Sequence, residues 1–496
     1  MNDAGLNNAG MTDTRRLYRV ALIAVGVITL IRVLVLIFGR LELYPDEGQY
    51  WWWAQTPDLG YFSKPPMIAW IVWLTTTLFG DGEWALRLSS PLLHAGTALL
   101  LFGVGRLAFD ARVGLFSAVA YVTLPGVSYS AGLVSTDVPL LFFWALALYA
   151  FLRALEGRSW HWVMLCGLAV GGGLLAKYAM FYFVLGAILA AVAVPKVRAL
   201  VFSLRGLAIL AIGLLLLTPN VMWNAAHGFP TVAHTEANAN WGHARFNVVN
   251  AIAFLGGQFG VFGPFMMVGL LWTVWRLVRG PQRDANDLML AAFALPPIVV
   301  IAAQAFISEA NANWAATAYV AATPLTVNFL MRLWRSRALW ASLTLHTLAM
   351  AVLWAIMLSP TVADRIGLGN AFKRMEGWHE LGQVLVEETH HQSYDAIAIA
   401  NRSVIAEMVY YARSGSVPLR MWDKDLHDDD HFQMTMRLGP DTPHVLLVLS
   451  PDEARTVLPS FRSATLIRSI LIPIGGHHQR IALLFDARDH RPPQTH

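Results

Sequence analysis

The sequence predicts an all-α membrane domain that crosses the bilayer many times, followed by a small α/β domain. Three observations support this fold class. First, 56% of the 496 residues are hydrophobic and only 14% are charged, whereas soluble proteins carry roughly 25% charged residues. Second, apolar stretches near the length of about 20 residues that a membrane-spanning helix needs recur along the chain. Third, residues 360–496 lose this character and mix helix and strand patterns.

The apolar stretches predict eleven spans. We place them near residues 17–39, 84–108, 113–131, 133–153, 160–176, 178–195, 199–218, 249–275, 286–306, 314–332 and 338–358. Residues 1–16 are polar and lack a small-residue cleavage site, so the first stretch is interpreted as a span and not as a signal peptide. The run 66–80 is shorter and follows two prolines, so it is interpreted as a re-entrant or interfacial helix, with a twelfth span as the alternative.

The distribution of basic residues predicts the orientation of these spans. With residues 1–16 inside, the cytoplasmic loops carry Arg15, Arg16, Arg106, Arg112, Arg153, Arg158, Lys196, Arg198, Arg276, Arg279, Arg283, Arg332, Arg335 and Arg337. The opposite loops carry Arg40, Lys64, Arg87, Lys177 and Arg245. Because cytoplasmic loops are enriched in Lys and Arg, this asymmetry indicates an internal N-terminus. An odd number of spans then places residues 360–496 outside.

The predicted organisation is therefore a cytoplasmic tail (1–16), a transmembrane domain (17–359) with an external loop (40–83), and a periplasmic α/β domain (360–496). In the last part we expect helices at 371–389 and 402–413, and strands at 394–400, 417–422, 444–450, 464–474 and 479–486.

Charge and cysteine content exclude several classes of protein. The net charge is +4, but the basic residues lie in short clusters between apolar runs, so we interpret them as topology signals and expect no nucleic-acid partner. The single Cys166 excludes an intrachain disulfide framework and a thiolate metal cluster.

Three acidic residues are candidate catalytic groups. Asp46 and Glu47 follow the first span, and Asp137 opens the fourth. A carboxylate at an apolar boundary is costly unless it has a function or a partner, so a general base is one interpretation. The alternatives are a helix N-cap for Asp137, within "STD", and a polar turn for Asp46.

Three basic residues are candidate binders of a phosphate. The Lys64 ammonium in "YFSKPP" suits a phosphate as a point charge, although a lysine that snorkels to the interface is an equal alternative. Arg32 interrupts the first span, and Lys177 lies between the fifth and sixth. Each is expected to pair with a buried carboxylate or a lipid phosphate, or, for Lys177, to mark a turn.

Aromatic residues cluster in the same external segments. Tyr61, Trp314 and Tyr319 are candidate substrate contacts, and an interfacial aromatic belt is the alternative. His234 and Glu236 are weak metal-ligand candidates because two residues apart is not a standard ligand spacing on a helix.

Six motifs together resemble the GT-C superfamily of polytopic glycosyltransferases. They are "DEGQYWWWA", "GYFSKPPMIAW", "STDVPLLFF", "AKYAMFY", "PNVMWNAAHGF" and "NANWAATAY". The resemblance covers roughly residues 17–330. It is strongest to the branch that contains bacterial lipid A aminoarabinose transferases and protein O-mannosyltransferases.

This resemblance implies a GT-C membrane domain of about 11–13 transmembrane helices in the bacterial inner membrane. It implies inverting transfer of a sugar from polyprenyl phosphate, such as undecaprenyl phosphate, to an envelope acceptor: a lipid A-like glycolipid, a glycan or a protein. Modification of lipopolysaccharide is the corresponding process. Asp46 and Asp137 match the family's two acidic sites, and Lys64 matches the lysine at the carrier phosphate.

Two departures qualify the resemblance. Where the aminoarabinose transferases have a glutamate that helps to hold a metal ion, this chain has Ser63. A divalent metal ion therefore stays a candidate cofactor only, and the exact sugar is open. Arg245 is the candidate for an arginine that the family uses in a later loop.

The alternative function is a lipid or small-solute transporter or flippase, which would explain the spans but not the clustering of acids and rings on one face.

Overall fold

The computed structural model describes residues 3–157, 159–240, 246–280, 283–332, 336–440 and 442–491, and describes no side chains for residues 3–11. The predicted topology residues Arg158 and Arg335 and the candidate Arg245 lie outside these ranges. The chain divides into two compact units. The first unit comprises Met1–Leu36, Lys64–Ile68 and Arg87–Trp354, and the second comprises Ile37–Ser63, Ala69–Leu86 and Ala355–His496.

Helices form nearly all of the chain before residue 360. In chain order they are α1 (Asp3–Phe38), α2 (Pro45–Gln55), α3 (Met67–Phe79), α4 (Glu83–Arg87), α5 (Ser89–Ala108), α6 (Ala111–Thr123), α7 (Pro125–Ser130), α8 (Asp137–Glu156), α9 (Trp160–Ala176), α10 (Phe181–Ala193), α11 (Pro195–Val201), α12 (Leu204–Ala226), α13 (Pro230–Ala239), α14 (Val248–Val261), α15 (Pro264–Arg279), α16 (Ala285–Ile307), α17 (Ala318–Arg332) and α18 (Arg337–Leu358). Short 3₁₀ helices cover Tyr178–Met180 and Ala312–Ala315.

The chain is a multi-pass membrane protein. Within the described residues, six helical stretches are long and apolar enough to cross a bilayer: Thr12–Phe38, Glu83–Ala108, Asp137–Glu156, Leu204–Ala226, Ala285–Ile307 and Arg337–Leu358. Shorter apolar helices occupy Met67–Phe79, Ala111–Thr123, Trp160–Ala176 and Tyr178–Ala193. The run predicted to be re-entrant or interfacial, 66–80, is thus a 13-residue helix.

Two of the predicted spans break in their interior and are wrong as continuous helices. The stretch 249–275 contains α14 and α15, which meet at 115°. Gly263, with φ of 85°, and Pro264 make this bend, because glycine tolerates a positive φ and proline starts a new helix. The stretch 113–131 is divided into α6 and α7 by Pro125, which cannot donate a backbone hydrogen bond within a helix.

The remainder of the second unit has the predicted α/β character. Its helices are α19 (Thr361–Arg365), α20 (Gly369–Phe372), α21 (Trp378–His391), α22 (Arg402–Tyr411), α23 (His431–Met436) and α24 (Pro451–Val457), and its strands are β1 (Ala396–Ile399), β2 (Leu419–Met421), β3 (His444–Leu449), β4 (Phe461–Ile474) and β5 (His478–His490). All five predicted strands are present. The helix expected at 371–389 is interrupted, and its long part begins at Trp378 after Gly377, whose φ is 81°.

The five strands form one mixed sheet in the order β2-β1-β3-β5-β4. Strand β1 pairs in parallel with β2 and β3, whereas β5 pairs antiparallel with β3 and β4. The β1 and β3 strands are almost continuously apolar and buried, as parallel strands covered on both faces require. Two short helices that the sequence did not predict, α23 and α24, lie in the connections that flank β3.

Helix α2 packs against helix α22 at a glycine. An added Cβ at Gly48 would lie 2.1 Å from the backbone oxygen of Ala406. Only glycine permits this approach, because the contacting atom belongs to a helix backbone and cannot rotate away.

We therefore expect Gly48→Ala to destabilise the protein by about 1–3 kcal/mol through overpacking. Thermal unfolding of the purified full-length chain measures this loss. The matched control is Gly26→Ala in α1, where no heavy atom lies within 4 Å of the added Cβ. Equal unfolding temperatures for the two variants would contradict the close packing of α2 on α22.

Candidate active site

The start of helix α2 presents two acidic residues that have different surroundings. Glu47 is 1% exposed, and its carboxylate accepts a hydrogen bond of 2.9 Å from the backbone N–H of Tyr44. This contact is half of a capping box, in which a glutamate reaches back to the helix start. Glu47 thus has a structural partner, and its predicted catalytic role stays a prediction.

Asp46, in contrast, is partly exposed and paired with a cation from the C-terminal part of the unit. Its carboxylate lies 2.8 Å from the Arg402 guanidinium. Arg402 also donates two hydrogen bonds, of 3.0 and 2.8 Å, to the side-chain oxygen of Gln49. Burial lowers the pKa of Arg402, but the charge and the hydrogen bond of Asp46 raise it by more. The pKa of Arg402 is therefore above its usual value. The first residue of α22 therefore fixes the position of Asp46.

A second helix with the same first three residues provides an internal comparison. Helix α24 also begins Pro-Asp-Glu, and Glu453 also caps its own helix, with 2.8 Å to the backbone N–H of Ser450. Asp452 of α24 is exposed, whereas Asp46 of α2 forms the ion pair with Arg402. The polar-turn alternative explains the tripeptide in both helices, but it does not explain this pairing.

Several aromatic rings between α1 and α3 are buried, and a belt of rings at the membrane interface does not explain this burial. Trp51 and Trp53 are 6% and 1% exposed. The Trp51 indole N–H donates to Asp81 over 2.9 Å. Tyr61 stacks on Trp53 with centroids 4.5 Å apart, and its hydroxyl donates to the Trp53 carbonyl over 3.1 Å. Burial raises the pKa of Tyr61 to about 12. The Tyr61 hydroxyl therefore holds the loop, and its contact with substrate stays a prediction.

His431 completes this aromatic cluster. Its ring meets Trp53 and Tyr61 edge to face, with centroids 5.4 and 6.0 Å apart. Burial, and secondarily the charge of Arg402, lower the pKa of His431 to about 4. The imidazole is thus neutral at ordinary pH. Sequence reasoning missed both His431 and Arg402, because each lies more than 350 positions from its partners.

In the first unit, Asp137 is held by two side chains. One carboxylate oxygen lies 2.7 Å from the Lys177 ammonium, and the other accepts a hydrogen bond of 2.9 Å from the Asn313 amide. Asp137 is the first residue of α8, and the preceding residue, Thr136, makes no side-chain cap. The carboxylate is therefore engaged by Lys177 and Asn313, which belong to two other motifs of the sequence. Lys177 also marks a turn, between α9 and the 3₁₀ helix Tyr178–Met180.

A second polar contact joins the motif that contains Lys177 to one more motif. The Tyr178 hydroxyl donates to the side-chain oxygen of Asn220 over 2.6 Å. Asn220 and Asn224 are 0% and 3% exposed within α12. Buried asparagines in an apolar helix need partners, and this was the available signal that the sequence analysis did not use.

Tyr319 and Trp314 lie near Asn313 along the chain. The Tyr319 hydroxyl donates to Gln258 over 2.5 Å, and its ring stacks on Phe262 with centroids 4.3 Å apart. Trp314 lies in the same 3₁₀ helix as Asn313 and is half-buried. Tyr319 is thus part of the core, and its predicted contact with phosphate is untested.

Arg32 is 2% exposed and stabilises a helix break. Its guanidinium donates to the carbonyl of Val122 over 2.5 Å and to Ser128 over 3.3 Å. Val122 lies in the last turn of α6, whose carbonyls have no donor from the next turn because the helix ends at Thr123, so the arginine supplies one. The described contacts of Arg32 are thus with a carbonyl, a hydroxyl and a thioether, and its predicted role at a phosphate stays a prediction.

The remaining candidates are placed as follows. Lys64 is half-buried directly before Pro65. The His234 imidazole lies 2.9 Å from the side-chain amide of Asn238. Both residues belong to α13, which also contains Glu236. No group of three or more His, Cys, Asp or Glu with the arrangement of a metal site occurs in the residues that the structure describes. The candidate divalent metal ion and its candidate ligands His234 and Glu236 therefore stay a prediction.

The partly buried Asp137–Lys177 pair predicts strong energetic coupling. We expect Asp137→Asn and Lys177→Met each to lower the free energy of unfolding by about 1–3 kcal/mol, because each leaves an unpaired charge. The double variant should recover about 1–3 kcal/mol of the summed loss. Thermal unfolding in detergent provides the measurement. The control cycle is Arg153→Met with Glu156→Gln, an exposed pair 2.8 Å apart whose coupling should stay below about 1 kcal/mol. Simple additivity at Asp137 and Lys177 would argue against the pair.

The buried neutral His431 predicts acid sensitivity. The unfolded histidine binds a proton near pH 6.5, whereas the folded one does so near pH 4. Stability should therefore fall as pH decreases from about 6.5 to 4, by about 1.4 kcal/mol per pH unit, or ~2 kcal/mol between pH 6.5 and 5. His431→Gln removes this contribution, while Asp430, whose carboxyl pKa is raised mainly by burial, stays in both proteins. Unfolding temperatures of the two proteins should converge in acid, and parallel pH profiles would contradict the assignment.

Comparison with known proteins identifies the family. The chain is 36% identical over 393 residues to lipid A galacturonosyltransferase RgtD of Rhizobium johnstonii, covering 78% of this chain and 81% of that protein. Residues 63–223 match the family described as dolichyl-phosphate-mannose-protein mannosyltransferase. An undecaprenyl phosphate-α-4-amino-4-deoxy-L-arabinose arabinosyl transferase of Pseudomonas fluorescens is 32% identical over 133 residues, which is 25% of this chain and 24% of that protein.

The fold has a counterpart of known structure. The crystal structure of ArnT from Cupriavidus metallidurans bound to undecaprenyl phosphate superposes with a TM-score of 0.65. The match covers 95% of this chain and 99% of ArnT at 18% sequence identity, so it establishes the fold alone. The identity to the Rhizobium enzyme extends over most of both chains. The chain therefore belongs to the family of that lipid A galacturonosyltransferase, within the GT-C superfamily of polytopic membrane glycosyltransferases.

Proposed function

We propose that this glycosyltransferase moves a galacturonosyl group from a polyprenyl-phosphate carrier to a lipid A-type acceptor, with inversion at the anomeric carbon. The observation that carries the chemistry is the partly exposed carboxylate of Asp46, held by Arg402 2.8 Å away. The choice of sugar and acceptor is supported by the 36% identity to the Rhizobium enzyme. The choice of carrier is supported by the related transferase that uses undecaprenyl phosphate.

The proposed reaction is a single displacement. An acceptor hydroxyl attacks the anomeric carbon, a new C–O bond forms, and the bond between that carbon and the carrier phosphate breaks. Asp46 takes the hydroxyl proton, which is the work of a general base. Lys64 is proposed to neutralise the charge that remains on the phosphate. No covalent intermediate is needed, because one inversion transfers the sugar directly.

The residue before Lys64 favours an acidic sugar over a cationic one. A galacturonosyl group carries a carboxylate, whereas aminoarabinose carries an ammonium group. A glutamate at position 63 would repel the first and attract the second, and this chain has Ser63 there. Ser63 is 9% exposed and uncharged, so it adds no repulsion to a donor that carries two negative groups.

The orientation is also part of the proposal. We place residues 1–16 in the cytoplasm and residues 360–496 in the periplasm, with transfer at the outer face of the inner membrane. The excess of arginine and lysine in one set of loops supports this arrangement.

Donor selection tests the proposed sugar. The full-length chain, purified in detergent, is given lipid A and one of three polyprenyl-phosphate donors that carry galacturonic acid, galactose or aminoarabinose. We expect kcat/KM for galacturonic acid to exceed that for aminoarabinose by at least about 100-fold, because the two sugars differ in charge. Mass spectrometry of the lipid product is the readout, and equal or better use of aminoarabinose would exclude a galacturonosyl donor.

Asp46→Asn tests the general base. The amide keeps the shape of the side chain but cannot accept the proton, so kcat should fall about 100- to 10,000-fold. Binding of polyprenyl phosphate should change little. Asp452→Asn is the matched control, because it makes the same change after a proline at the start of α24 and should keep full activity. If the Asp46 variant retains more than a tenth of the wild-type kcat, Asp46 is not the base.

A further inference from the structure

The first unit has a groove whose lining includes none of the candidate residues Asp46, Lys64 and Asp137. It encloses about 700 Å³ and is lined by residues 14–19 of α1, 96–106 of α5 and 142–149 of α8. The lining positions recur three, four and seven residues apart on α5 and α8, and three and four residues apart on α1, so each helix contributes one face. Asp137 begins α8 and Tyr149 lies twelve residues later, about 18 Å along the helix axis.

One end of the groove is basic. Arg15 and Arg19 lie one turn apart near the start of the apolar stretch Thr12–Phe38 of α1, and Arg106 lies in the last turn of α5. All three side chains are exposed. The described residues that line the groove include no Asp or Glu. The positive charge is therefore available to an anion from outside the chain.

The rest of the groove is apolar and its floor is close-packed. An added Cβ at Gly96 would lie 2.8 Å from the ring of Phe142, and one at Gly103 would lie 2.6 Å from the ring of Tyr149. These glycines let α5 and α8 approach. The half-buried Leu99 then lines the space above them. Because the apolar stretch extends from the arginines toward the middle of both helices, it matches a molecule with an anionic head and a hydrocarbon chain.

We propose that this groove binds an acidic diacyl phospholipid, with its phosphate at Arg15, Arg19 and Arg106 and an acyl chain along α5 and α8. Basic pockets between membrane helices at the arginine-rich face bind anionic headgroups in this way. The edge-to-face contact of Tyr18 with Phe102, at 5.2 Å between centroids, places an amphipathic ring at the boundary between the two ends. This proposal does not depend on the identity of the proposed donor.

Native mass spectrometry of the full-length chain in detergent tests this site. Phosphatidylglycerol, phosphatidylcholine and undecaprenyl phosphate are titrated separately. We expect preferential binding of phosphatidylglycerol over phosphatidylcholine. The variant Arg15→Gln/Arg106→Gln should bind phosphatidylglycerol roughly 25-fold more weakly, at roughly fivefold for each arginine removed. The control is Arg279→Gln/Arg283→Gln, which removes the same charge from exposed positions outside the groove and should bind like the wild type.

A second variant tests the apolar part independently. Leu146→Trp fills the groove beside α8 and leaves all three arginines in place, and it should also weaken phosphatidylglycerol binding. The proposal is overturned if phosphatidylcholine binds as well as phosphatidylglycerol, or if the arginine variant and the control lose affinity equally. It is also overturned if undecaprenyl phosphate is the lipid whose binding depends on the groove, since the occupant would then be a carrier lipid.

Discussion

The structure depends on how carboxylates are paired where the chain leaves apolar surroundings. Asp137 begins a membrane helix, and a charge there is costly unless a cation and further donors engage it. Lys177 and Asn313 supply both. Asp46 lies in the first turn of α2, and Arg402, which also donates to Gln49, supplies its cation. In each unit, one pair of opposite charges links segments that are distant in sequence.

Neighbouring acidic residues differ in their contacts. Glu47 and Glu453 occupy equivalent positions in two helices, and each caps its own helix start. The aspartates that precede them differ, because only Asp46 meets a guanidinium while keeping 43% of its side chain exposed. The Asp46 carboxylate is thus held in place and still reachable, whereas the Glu47 carboxylate is buried and used in capping.

In the first unit, polar side chains lie at the ends of interrupted helices. Pro125 ends one helix, and Arg32 donates to the carbonyl that loses its partner. Lys177 follows the end of α9, where the backbone turns and the ammonium reaches Asp137. Gly263 and Pro264 bend a stretch whose composition alone predicts one straight span. In an apolar solvent such irregular backbone must be satisfied within the protein, and the buried side chains described here do this.

The sequence alone determined the class of the protein. Apolar length, the arginine asymmetry and the period of the tail predicted a polytopic domain with an appended α/β domain, because these features are local and repeat along the chain. The motifs around Asp46, Lys64, Asp137 and Lys177 were also recognisable locally. Only the tertiary structure decided which partners they have. Arg402, His431, Asn313 and Gln258 lie far along the chain from the groups they contact, and neither composition nor periodicity encodes such distances. The tertiary structure also decided the bend at Gly263. Hydropathy indicates which solvent a helix prefers, and it does not indicate the direction in which the helix runs.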